Sequence, residues 1–126
     1  KASFKISSLA LAASGTVSLE LAANNTPMVI GYDMGFLSRQ IIGLMLKTET
    51  VNLVNLITGN RNIPECLGAN FKSENLFLEM VRVYSNNQNQ IKDFRTTMDL
   101  LGQNNEPPND RAANSLLKFC RNFKMV

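Results

Sequence analysis

The stretch LALAASGTVSLELAANNTPMVIGY, residues 9–32, decides the fold. Leu9–Ala13 is a short apolar run that ends at Ser14-Gly15, a tight-turn pair. Thr16–Ala23 then carries the spacing of a helix, and Pro27–Tyr32 (PMVIGY) reads as a second buried strand. Strand, turn, helix and strand in that order predict a βαβ unit with two parallel strands. A secretory signal competes for the same residues, because Lys1–Ser14 has a basic start, a short apolar run and small residues. Ser7 and Ser8 break that apolar run and no initiating Met precedes Lys1, so the strand is the expected reading.

Working outward, Asp33-Met34-Gly35 reads as a loop before a helix over Phe36–Lys47. That helix contains Ile41–Leu46 (IIGLML), read first as a buried core element and second as a surface that meets lipid or acyl chains. Thr50–Leu53 is expected as a strand, and Asn55–Asn62 (NLITGNRN) as a polar connection turning at Gly59. Pro64 suits the first position of a short helix, with Asn62 near its cap and Glu65 in its first turn. Ser73–Tyr84 repeats apolar residues on one helical face, with Ser73 as the N-cap. Further helices are expected at Ile91–Leu101 and Asp110–Phe123, and no internal repeat is present. Strands fill the first half and helices the second, which predicts an α/β fold: a partial Rossmann-like unit with a few parallel strands and a helical C-terminal half. The 126 residues read as a single partial domain, βαβ-rich over 1–68 and helical over 69–126.

Composition narrows the chemistry. A chain of 126 residues with 44% hydrophobic side chains can bury one modest core. The net charge of +3 comes without a stripe of Lys and Arg, so no nucleic-acid surface is expected. Histidine is absent, which removes Ser-His-Asp and Cys-His nucleophiles and every zinc site that needs imidazole. Cys66 and Cys120 lie far apart outside any CxxC pattern and read as isolated thiols of a reduced compartment, with one disulfide as the alternative. No metal is expected, and no segment reaches the roughly 20 apolar residues of a membrane span. Near the end of the chain, Lys118, Arg121 and Lys124 are read as complements to a helix C-terminal dipole before they are read as contacts to lipid phosphate.

Within SGTVSLE, residues 14–20, Gly15 permits a close backbone approach, while Ser14, Thr16 and the open N–H groups of a helix start suit a diphosphate. Glu20 follows Thr16 by one helical turn, where its carboxylate suits two ribose hydroxyls. Spacing alone favours the plainer reading, a glycine turn beside a solvated Glu. Asn55 offers amide groups to a base or sugar, and an Asn that opens a turn explains it equally well.

These motifs occur together and in order. ASGTVSLELAANNTPMVIGYDM (13–34) and LKTETVNLVNLITGNRNIPECL (46–67) resemble the C-terminal part of the bacterial lipid-A-disaccharide synthases, which are glycosyltransferases of the two-Rossmann-domain (GT-B) type. The resemblance runs from about Leu9 to Leu67. It implies a donor-binding half, in which Ser14, Gly15 and Thr16 face the diphosphate, Glu20 the ribose hydroxyls, and Asn55 the donor or the cleft. It implies no cofactor and no catalytic residue in this chain. UDP-2,3-diacylglucosamine and lipid X would be bound by the complete enzyme, and the chain alone would be inactive. The implied setting is the cytoplasmic face of a Gram-negative inner membrane, with a homodimer or the missing N-terminal domain as partner. Asp33, Val54 and Gly68 depart from the family pattern. The alternatives are a UDP-N-acetylglucosamine 2-epimerase-like fragment, whose Arg-x-x-Thr-Glu-Arg-Pro-Glu stretch GYDMGFLSR does not supply, and a non-catalytic assembly fragment with an unpaired sheet edge.

Overall fold

A computed structural model describes residues 2–13, 15–33, 50–103 and 107–123. The elements run α1 (Ala2–Ile6), β1 (Ala10–Ala12), α2 (Thr16–Ala23), β2 (Met28–Tyr32), α3 (Leu53–Thr58) and β3 (Glu65–Leu67). A 3₁₀ turn (Gly68–Asn70) then leads to α4 (Ser73–Ser85), α5 (Gln88–Leu101) and α6 (Pro108–Phe123). The strands form one parallel sheet in the order β1-β2-β3. Ala12 pairs with Ile30 and Ile30 with Glu65, so one row crosses all three strands.

β2 is the central strand, and its first half, Met28-Val29-Ile30, is completely buried. Such a continuous apolar run is what a parallel strand covered on both faces requires. On one face, Leu21 and Ala22 of α2, Val54 of α3, and Phe94 and Met98 of α5 close over Met28 and Ile30. On the other, α4 lies against β2. Gly31 makes this approach close: a Cβ there would stand 2.9 Å from Leu76 Cδ2, 3.0 Å from Phe71 Cε2 and 3.2 Å from Leu11 Cδ1. The fold is therefore the expected βαβ start followed by helices. α1 joins the same body, because Thr26 Oγ1 donates to the Phe4 carbonyl at 2.6 Å.

Three expectations are corrected. Residues 50–52 form no strand; the helix α3 begins at Leu53 because the buried Asn52 side chain caps it, with Oδ1 accepting from Val54 N at 2.9 Å and Asn55 N at 3.2 Å. Asn55–Thr58 is thus helical instead of a polar connection, and Gly59, at φ 71°, ends the helix. Pro64 opens no helix either. Its carbonyl accepts from Ile30 N at 2.9 Å, and Glu65–Leu67 adds a strand to β2. Pairing with a buried central strand overrides what Pro64 and Glu65 suggest locally.

Smaller differences concern ends. Lys72, not Ser73, occupies the cap position of α4, without a side-chain bond. α5 starts at Gln88, three residues before Ile91, and α6 at Pro108. The helix expected over Phe36–Lys47 lies outside the described residues. α6 presents Leu116, Leu117 and Phe119 to solvent. Among the described residues, no helix is long and apolar enough to cross a membrane.

Candidate functional site

The first candidate is the start of α2. β1 stops at Ala12, and the chain re-enters helix at Thr16 from Gly15, whose φ of 116° and ψ of −158° few side-chain-bearing residues adopt. Among the described residues, no side chain caps this helix. Ser18 is fully buried and turns back to the turn itself, donating from Oγ to the Gly15 carbonyl at 2.7 Å. Among the described residues, nothing stands within 4 Å of the place where a Gly15 Cβ would be. Among the described residues the turn is therefore open, and the helix start lies at the carboxyl end of a parallel strand, the end at which α/β sheets bind ligands, with the Ser18 N–H already given to the Gly15 carbonyl at 3.2 Å. Thr16 and Glu20 are both exposed and one helical turn apart, so they share a face beside that opening. Ser14 lies outside the described residues.

The second candidate lies beside β3, with β2 between it and the turn. Asn55 is buried and its amide is held from both ends: Oδ1 accepts from Ile63 N at 3.1 Å and Nδ2 donates to Ile63 O at 2.9 Å. The Glu65 carboxylate accepts from the Thr50 hydroxyl, from Asn52 N at 2.8 Å and, through its other oxygen, from Val51 N at 3.3 Å. Asn55 Nδ2 also approaches Glu65 Oε1, at 3.4 Å. Asn55 and Glu65 thus fasten the segment before α3 and the loop after it onto β3. Together with Thr50, Arg61 and Asn70 they line a cleft of about 280 Å³. Asn55 forms part of its wall, and its amide is committed to backbone.

The structure brings Gly15, Thr16 and Glu20 together and sets Asn55 apart from them across the sheet. Two polar groups that sequence reasoning missed hold the loop between α3 and β3. Gln90 donates to Met28 O and accepts from Met28 N, each at 3.0 Å, and donates to Asn62 O at 3.1 Å. Asp93 accepts from Asn60 Nδ2 at 2.8 Å and Asn62 Nδ2 at 2.7 Å. Their signal was Gln and Asp at positions 90 and 93, next to the apolar stripe Ile91, Phe94 and Met98 of α5. Burial, and secondarily the negative charge of Glu79, pushes the Cys66 thiol above its ordinary range, which makes it a poor nucleophile. Among the described residues, no group of three His, Cys, Asp or Glu side chains is placed to hold a metal.

Residues 1–119 match the family model described as lipid-A-disaccharide synthetase. The chain is similar to the lipid-A-disaccharide synthase of Ruegeria pomeroyi, 45% identical over 93% of this chain and 29% of that protein. It is also similar to the synthases of Rickettsia prowazekii, 37% identical over 87% of this chain and 30% of that protein, and Nitrobacter hamburgensis, 33% identical over 94% and 31%. The chain spans about a third or less of the length of these curated relatives.

Proposed function

The chain belongs to the lipid-A-disaccharide synthetase family, and from that premise we propose that it is the nucleotide-sugar-binding portion of a glycosyltransferase. In the complete enzyme it would hold UDP-2,3-diacylglucosamine while the sugar passes to lipid X, forming the lipid A disaccharide and releasing UDP. The 126 residues act as one partial domain. The partners are the remainder of the enzyme or a second copy, and the place of work is the cytoplasmic surface of the inner membrane.

The observation that carries this reading is the start of α2 behind Gly15, uncapped and open among the described residues, at the carboxyl end of β1. The diphosphate would meet the N–H groups after Gly15 and the Ser14 and Thr16 hydroxyls. The anion is favoured there by the positive end of the helix dipole. Glu20 would accept from the ribose hydroxyls. For Asn55, the two bonds to Ile63 favour a role in shaping the donor cleft over a direct bond to the sugar. No acid, base or nucleophile for the transfer is assigned to this chain, so it is expected to be inactive alone.

Co-expression with the remaining two-thirds of a relative tests the proposal. Disaccharide formation that needs both pieces, and that falls in Glu20→Ala, supports it. Stable association of the pieces without turnover would leave the chain an assembly element.

A further inference from the structure

We propose that α6 lies flat on an anionic lipid surface, with its apolar half in the acyl boundary and its basic side chains among the headgroups. The proposal rests on the reading of a membrane surface as the place of work, and deepens it by naming the element that makes contact and the charge of the lipid.

With about 3.6 residues per turn, Ala112, Ala113, Leu116, Leu117, Phe119 and Cys120 fall on one half of α6. The other half carries Asp110, Arg111, Asn114, Ser115, Lys118 and Arg121. Apolar and polar residues are divided more sharply here than on α2, α4 or α5. The fold makes little use of the apolar half. Leu116 is 66% and Leu117 55% exposed, Cys120 is exposed, and none of the described elements packs along α6. α5, a helix of similar length, instead buries Phe94 and Met98 in the core.

The width of the apolar half and the signs of the charges select the occupant. A seam between two helices needs only a narrow apolar stripe, whereas a bilayer boundary takes up a whole half of a helix. The polar half holds Arg111, Lys118 and Arg121 against one carboxylate, Asp110, and among the described residues none of the three cations is ion-paired. The complementary surface is therefore anionic. A second copy of this chain does not supply it, because each copy carries a net charge of +3. Anionic headgroups do supply it, and the long stems of Lys118 and Arg121 let their charges stay at headgroup level while the helix body sinks. At 16 residues α6 is about 24 Å long, and no described helix is long and apolar enough to cross a membrane, so the contact is parallel to the surface.

The test sediments the chain with vesicles of phosphatidylcholine alone and of phosphatidylcholine with phosphatidylglycerol, and reads the contact through a nitrobenzoxadiazole label on Cys120. Cys120 is exposed and Cys66 buried, so the label goes to α6. Binding to the phosphatidylglycerol vesicles with a blue-shifted label is expected. In Lys118→Cys/Cys120→Ser the label stands on the polar half, and its emission should stay near the value in water. Leu116→Asn/Leu117→Asn and Lys118→Gln/Arg121→Gln should each weaken binding at least about tenfold. Both pairs are exposed, and an unchanged melting temperature shows that the variants fold. Vesicle binding that neither pair weakens, or an unshifted label on Cys120, would overturn the proposal while leaving the membrane surface as the place of work. Absence of vesicle binding would overturn both, and a dimer broken by Leu116→Asn/Leu117→Asn would then assign the apolar half to a second copy. Failure of UDP to bind at the Gly15 turn would leave this result unaffected.

Discussion

The side-chain amide of Gln90 closes a ring of two hydrogen bonds on the backbone of Met28, taking its N–H and giving to its carbonyl, each at 3.0 Å. A helix side chain thereby supplies what a neighbouring strand would supply at the start of β2. Gln90→Ala strands both Met28 groups and the Asn62 carbonyl in a buried setting, and should cost roughly 2–4 kcal/mol. Urea unfolding measures this. A loss below about 1 kcal/mol would mean that water replaces the amide.

Asn55→Asp tests the clasp on Ile63 through its pH dependence. The new carboxylate keeps an acceptor for Ile63 N, loses the donor to Ile63 O, and faces Glu65 across the former 3.4 Å contact. Burial and a like charge both raise a carboxyl pKa in the folded state. A group raised in this way binds its proton more tightly folded than unfolded, so stability falls as pH rises through the carboxylate range. The variant should therefore lose more against the parent at pH 7 than at pH 4. Thermal melts at the two values, with Asn55→Ala as the uncharged reference, decide it.

Gly31→Ala places a Cβ against Leu76, Phe71 and Leu11. All three contacts are ends of side chains, so crowding is relieved by small shifts and the net cost should be about 1 kcal/mol. In a Leu76→Ala background, where the 2.9 Å contact is gone, the same change should cost less. Equal costs in both backgrounds would show that Leu76 does not limit the space.

Cys66 and Cys120 should differ in reactivity. The Cys66 thiol is buried and pushed up, so less thiolate is present at any given pH, while Cys120 is exposed on α6. Alkylation of the native chain followed by peptide mass analysis should label Cys120 first, by at least about tenfold. Equal labelling would mean that the cover over Cys66 opens readily.

Local pattern made the βαβ start legible because the central strand Met28-Val29-Ile30 is buried on both faces and reads as an unbroken apolar run. The turn at Gly15 was legible for the same kind of reason, a Gly between strand and helix. β3 was not, since Pro64 and Glu65 resemble a helix start until the register with Ile30 is known. α3 was hidden because its first turn is set by the Asn52 cap, a bond within three residues that apolar periodicity does not register. The roles of Gln90 and Asp93 depend on partners 28 to 62 residues away, and no local pattern carries such distances.

A UDP titration of this chain, followed by amide chemical shifts, tests the nucleotide turn most directly. Saturable shifts at Gly15, Thr16 and Val17 are predicted, weakened about tenfold or more, near 1.4 kcal/mol, in Glu20→Ala. Gly15→Val should weaken binding further, because a β-branched residue strains at a φ of 116°. Absence of saturable shifts there up to millimolar UDP, in a chain whose amide spectrum is that of a folded protein, would contradict the assignment of the α2 turn to the nucleotide.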